Sequence, residues 1–125
     1  MDIALKSPKI VVIEDDQDLQ HLISLMLVRE GYQVFCASNG PDGIRLNEQE
    51  NPDLILLDLR MPGMDGIETL RQIRQSDEQV LVVILTGYGS PDTIREAADL
   101  NVSEYLSKPF ATSDLVGIIS KALTS

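Results

Sequence analysis

Glu14-Asp15-Asp16, Asp58, Thr86 and Lys108 each follow directly on a largely apolar run, and together they are what transfer of a phosphoryl group to a carboxylate requires. The runs are Lys9-Ile10-Val11-Val12-Ile13, Leu54-Ile55-Leu56-Leu57, Val80-Leu81-Val82-Val83-Ile84-Leu85 and Glu104-Tyr105-Leu106-Ser107. Carboxylates brought close together repel one another, by about 4 kcal/mol for a pair about 4 Å apart at an effective dielectric of about 20. A divalent cation relieves that repulsion. An all-oxygen set without histidine or cysteine favours a hard ion such as Mg²⁺, which takes one or two carboxylates and leaves a position for a phosphate oxygen. Asp58 is then a carboxylate nucleophile that can attack phosphorus and form an aspartyl phosphate. The cation and Lys108 would neutralise the equatorial oxygens while the Thr86 hydroxyl donates to one of them.

Residues so far apart in sequence meet only if the fold brings them to one edge. Continuous Val, Ile and Leu runs are the pattern of parallel strands buried on both faces, and segments with helical apolar spacing separate them. The first helix is expected from about Asp16 to Glu30, with Leu19, Leu22, Ile23 and Met26 inward and Gly31 as its stop. After the apolar run Tyr32 to Cys36, a second helix from about Pro41 to Glu50 is weakened at its start by Gly43, by about 1 kcal/mol relative to alanine. A third opens with Asp65, resembles a capping box with Glu68, and buries Ile67, Leu70 and Ile73. Ser90-Pro91 caps a fourth, with Ile94, Ala97 and Ala98 inward, and Thr112-Ser113-Asp114 begins a fifth, with Leu115, Ile118, Ile119 and Ala122 facing the sheet. Repeated strand and helix with right-handed crossovers give an α/β doubly wound, five-stranded parallel sheet with five helices. The flavodoxin-like order 2-1-3-4-5 makes the first and third strands neighbours, which places Asp58 beside Glu14 and Asp15 at the ligand-binding edge.

Length and charge narrow the function. The 125 residues are expected to form a single domain (1–125, core about 8–123), large enough to bury a core without disulfides. Twenty acidic against ten basic residues give a net charge of −10, which repels nucleic-acid phosphates. No apolar stretch approaches a membrane span, the start Met1-Asp2-Ile3-Ala4-Leu5-Lys6 lacks a signal peptide's apolar core, and one cysteine suits a reducing compartment. A soluble, cytoplasmic protein is expected. Cys36 reads as a small buried thiol, and His21 as an exposed or partly packed side chain without a second histidine to share a metal. A lone aspartate after a strand is more often a helix cap than a catalytic group, and Asp16 is expected to be mainly that. Four strand ends carrying complementary residues outweigh this reading for the remainder.

In their order and spacing, Ile10-Val11-Val12-Ile13-Glu14-Asp15, Asp58-Leu59-Arg60-Met61-Pro62-Gly63-Met64-Asp65-Gly66, Leu85-Thr86-Gly87 and Tyr105-Leu106-Ser107-Lys108-Pro109-Phe110 resemble the receiver domain of bacterial two-component response regulators, over about Pro8 to Leu123. The resemblance implies that Asp58 is loaded from a phosphohistidine on a sensor histidine kinase or phosphotransfer protein. It also implies that Mg²⁺ is held by Asp15, Asp58 and the Arg60 carbonyl, with Glu14 acting through water. Thr86 and Tyr105 would form the switch pair, Lys108 would contact the phosphoryl group, and the Lys108–Pro109 bond would be cis. Glu14 stands where many members have aspartate, and Asn101 where glycine is frequent; asparagine tolerates a left-handed backbone. Arg60 and Tyr88 occupy variable positions thought to tune the lifetime of the aspartyl phosphate.

Such a domain is a phosphoacceptor that assists its own phosphorylation and dephosphorylation; it is not an enzyme in the usual sense. It acts on an output domain or target protein, and a homodimer formed on phosphorylation is compatible with it. The alternative is a degenerate receiver serving as an unphosphorylated interaction module. A haloacid-dehalogenase-type enzyme wants an aspartate where Arg60 stands, and a flavodoxin-like mononucleotide binder wants a Ser/Thr/Gly phosphate loop where Glu14-Asp15-Asp16 stands.

Overall fold

The computed structural model describes residues 7–60, 65–87 and 91–124. The expected elements Met61-Pro62-Gly63-Met64, Tyr88 and Ser90, and the first six residues, lie outside these. Five strands, β1 (Lys9–Ile13), β2 (Gln33–Ala37), β3 (Leu54–Asp58), β4 (Leu81–Thr86) and β5 (Glu104–Ser107), alternate with helices α1 (Gln17–Arg29), α2 (Gly40–Glu50), α3 (Gly66–Ser76), α4 (Pro91–Ala98) and α5 (Thr112–Thr124). The sheet is parallel throughout, in the order β2-β1-β3-β4-β5. Val12 lies level with Leu56 and Asp58 with Leu85, so β1, β3 and β4 end at one edge.

Alternation along each strand divides the apolar residues between two faces. Val11, Ile13, Ile55, Leu57, Val82 and Ile84 meet Ile67, Leu70 and Ile73 of α3 and Ala97 of α4. On the other face, Ile10, Val12, Leu54, Leu56, Val83 and Leu85 meet Ile23 and Leu27 of α1 and Leu115, Ile119 and Ala122 of α5. Both faces are covered, which is why the strands read as unbroken apolar runs. Asp16 caps α1 by accepting from Leu19 N–H (3.1 Å), and Asp65 caps α3 by accepting from Glu68 N–H (2.8 Å). Asn101 takes the left-handed conformation expected of it (φ 62°), and Lys108–Pro109 is cis.

Several inward assignments need correction. On α1, Leu27 is fully buried while Leu22 is 48 % exposed, because the helix contacts β1, β2 and α5 along the Ile23 and Leu27 line. Among the described side chains of α4, only Ala97 is fully buried; Ile94 is 37 % exposed and Ala98 is exposed, because this short helix meets the core through Ala97. Cys36 is exposed, since β2 is an edge strand, and partial loss of solvent, opposed by a Ser24 hydrogen bond, pushes its thiol up, away from nucleophilic thiolate. Gly43 does more than weaken α2: a Cβ there would fall 2.3 Å from Ile13 Cδ1, so its absence lets the helix ride close over β1.

Candidate functional site

Glu14 leaves the end of β1 below the surface and is fully buried. Its N–H donates to Ala37 O (3.0 Å), and Gln20 Nε2 donates to Glu14 O, Ala37 O and Ser38 Oγ at 3.0, 3.1 and 3.3 Å, which ties the ends of β1 and β2 together. Glu14 Oε2 accepts from Asp16 N–H (3.1 Å), and Oε1 accepts from Lys108 Nζ (3.0 Å). Burial pushes the Glu14 carboxyl up to about 7; Asp16 N–H and Lys108 oppose the shift, and the charge of Asp58 adds to it. Loss of solvent therefore outweighs the crowding of like charges.

Asp58 closes β3 and is 2 % exposed. Arg60 N–H donates to its Oδ1 (3.0 Å), and Lys108 Nζ donates to its Oδ2 (3.3 Å). Lys108 follows β5, where its own N–H donates to Thr86 O (2.8 Å), so the ends of β4 and β5 aim the side chain inward across β4. Burial lowers the Lys108 pKa, but Glu14 and Asp58 together outweigh it and hold the ammonium charged. One cation thus bridges carboxylates 94 and 50 residues away in sequence.

Asp15 completes the cluster: one carboxylate oxygen from each of Glu14, Asp15 and Asp58 lies within 4.8 Å of the other two. Oxygens around an octahedral ion at about 2.1 Å are themselves about 3 to 4 Å apart, so this donor set fits a hard divalent cation. Thr86 is 8 % exposed at the end of β4, one residue beyond the partner of Asp58 in the ladder. Tyr105 sits level with Ile84 on the face covered by α3 and α4, two residues before Ser107, which pairs with Thr86. Its hydroxyl donates to Ile94 O of α4 (3.4 Å), and burial raises its pKa. Arg60 is exposed at the rim.

The structure brings Glu14, Asp15, Asp58 and Lys108 together, sets Thr86 beside them, and leaves Tyr105 on the edge strand against α4. Two contributors were missed. Gln20 shares the inward line of Ile23 and Leu27 at helical spacing, and a polar residue on that line was a readable signal. Gly66 is part of a recognised motif, but its contact with the backbone of Asp58 and Leu59 depends on tertiary packing alone. A cleft of about 1000 Å³ opens over the cluster, with Leu22, Met26 and Phe110 along its wall.

A doubly wound parallel sheet with an acidic, cation-ready cluster and a bridging lysine at its carboxyl edge has the groups that phosphoryl acceptance by a carboxylate would need. Comparison with known proteins agrees. The family model for the response regulator receiver domain matches residues 10–120. Sporulation initiation phosphotransferase F of Bacillus subtilis is 36 % identical over 119 residues, covering 95 % of this chain and 96 % of that protein. The receiver domain protein (CheY-like) of Methanospirillum hungatei superposes with a TM-score of 0.92 at 26 % identity, covering 95 % of each chain. The signal receiver domain of a putative Luxo repressor protein from Vibrio parahaemolyticus gives 0.88 at 30 % identity, covering 95 % of this chain and 92 % of that one.

The chain belongs to the response regulator receiver domain family. It is a two-component signalling domain that accepts a phosphoryl group, and the degenerate-module alternative is not favoured. Among the described residues, no helix is long and apolar enough to cross a membrane.

Proposed function

We propose that Asp58 is the phosphoacceptor and that residues 1–125 work as one receiver domain in the cytoplasm. The observation that carries this reading is the Asp58 carboxylate itself, nearly buried at a strand end, with Lys108 Nζ at 3.3 Å and two further carboxylates around it. The donor is a phosphohistidine on a sensor histidine kinase or phosphotransfer protein; the similarity to a sporulation phosphotransferase supports a relay of this kind. A macromolecular donor would cover the cleft, and the exposed Leu22 on its wall suits such a contact.

Asp15 and Asp58, with the Arg60 carbonyl, would hold Mg²⁺, and Glu14 would act through water. The ion, when bound, supplies positive charge to the transferring oxygens. Asp58 attacks phosphorus, the P–N bond to the imidazole breaks, and its electron pair stays on the ring nitrogen. Lys108 neutralises an equatorial oxygen that builds charge, and the Thr86 hydroxyl donates to another. The same groups assist hydrolysis, at a rate tuned by Arg60 and Tyr88. Reorientation of Thr86 and Tyr105 then alters the α4, β5 and α5 surface, which contacts an output domain or target protein or a second copy of the chain.

Incubation with Mg²⁺ and acetyl phosphate should yield one hydroxylamine-labile phosphoryl adduct by mass spectrometry. An adduct of equal yield in Asp58→Asn would place the acceptor elsewhere.

A further inference from the structure

The start of α3 approaches the backbone of Asp58 and Leu59 closely. Gly66 N–H donates to Leu59 O (3.2 Å), so the first residue of the helix is bonded to the residue after the phosphoacceptor. A Cβ on Gly66 would lie 2.4 Å from Leu59 Cα, 2.6 Å from Asp58 O and 3.0 Å from Leu59 C. All three are backbone atoms, so no side-chain rotation relieves the overlap. Gly43 differs, because the three atoms nearest its Cβ would all belong to the Ile13 side chain; Gly117 differs again, with nothing within 4 Å.

Neither partner in this contact is free to retreat. Leu70, Ile73 and Thr69 of α3 are fully buried, and the Thr69 hydroxyl donates to Asp65 O (2.9 Å). On its other side, Leu59 N–H donates to Leu85 O of β4 (3.2 Å), and the Leu59 side chain is 5 % exposed. The next peptide along is the one whose N–H, that of Arg60, holds Asp58 Oδ1.

We propose that Gly66 is a positioning residue for the phosphoacceptor. By having no side chain it lets α3 bear directly on the Asp58–Leu59 peptide and so sets the direction of the Asp58 carboxylate and the Arg60 backbone. The inference rests on Asp58 being the phosphoacceptor. Any side chain at this position must displace the corner, since the remainder of α3 is locked in the core. Misplacement of a reacting group by about 1 Å can cost about 100-fold in rate.

The test compares Gly66→Ala with Gly117→Ala, a helical glycine in open space, and Ile73→Val, which loosens α3 away from Asp58. Each is assayed for phosphorylation by acetyl phosphate at varied Mg²⁺, and for folding by circular dichroism. Gly66→Ala should slow phosphorylation by about 10-fold or more and require more Mg²⁺, while the two controls stay within about 2-fold of wild type. A Gly66→Ala rate within about 2-fold of wild type, with the fold intact, overturns the proposal. Wild-type amide exchange supplies a second readout that needs no variant. The Gly66 and Arg60 N–H groups should exchange as slowly as those inside α3, whereas exchange at open-loop rates refutes the clamp even if Gly66→Ala fails to fold. A wild-type protein that takes no phosphoryl group at Asp58 would instead defeat the functional reading, with exchange still deciding whether α3 clamps the corner.

Discussion

Replacing Glu14 with glutamine should stabilise the metal-free protein at neutral pH, with a characteristic pH profile. Burial raises the Glu14 carboxyl from 4.5 to about 7, so between these values the folded protein holds a proton that the unfolded chain has lost. Stability then falls as pH rises through this window and levels off above about 7, because the native state binds more protons there. A shift of that size corresponds to about 3 kcal/mol of lost stability at pH 8. The figure includes the compensation from Lys108, so the ionised Glu14 is a net liability while no other cation is present. Glutamine removes the charge but satisfies only one of the two donors, Asp16 N–H and Lys108 Nζ, and the lost bond costs about 1 kcal/mol. A net gain of about 2 kcal/mol at pH 8 remains, equivalent to about 8 °C in melting temperature for a domain of this size. Urea unfolding in EDTA, followed by circular dichroism from pH 5 to pH 8, measures it. Wild-type stability should decline across this range, and the Glu14→Gln profile should be flatter. A wild-type curve that rises or stays level through the window, or a Glu14→Gln curve parallel to it, would refute the reasoning.

Asp15→Asn should lose most of the stabilisation that Mg²⁺ gives the wild type, since it removes one of three clustered carboxylates; an unchanged rise in melting temperature on adding Mg²⁺ would place the ion elsewhere. Thr86→Ala should still take up a phosphoryl group on Asp58 but show a weaker change in amide exchange across residues 91–106. The helix α4 in that span buries the small Ala97 while Ile94 and Ala98 are exposed, so its described apolar side chains anchor it with little area, and Tyr105 bonds to Ile94 O from the switch position. If wild-type exchange is identical with and without beryllofluoride, signalling does not pass through this face.

The strand-end residues were legible because strand burial and helix capping are local properties of composition and spacing. Apolar runs buried on both faces specify parallel strands, and Asp16 and Asp65 mark helix starts through bonds spanning three residues, so the doubly wound fold and the convergence of Glu14, Asp15 and Asp58 could be read from residue types. The order of the strands was inferred from chemistry, since adjacency of β1 and β3 was needed to bring those carboxylates together. How closely the assembled elements pack, and which side chains that packing leaves in solvent, was not legible. Whether Leu22 or Leu27 of α1 is buried depends on where the sheet and α5 lie, and the exposure of Cys36 on which strand forms an edge. The elevated pKa of Glu14 comes mainly from the burial that the assembled edge imposes, a quantity no local pattern encodes. Gly66 is the clearest case: its spacing marks a helix start, but only the packed structure brings it against the backbone of Asp58 and Leu59, where even one methyl group has no room.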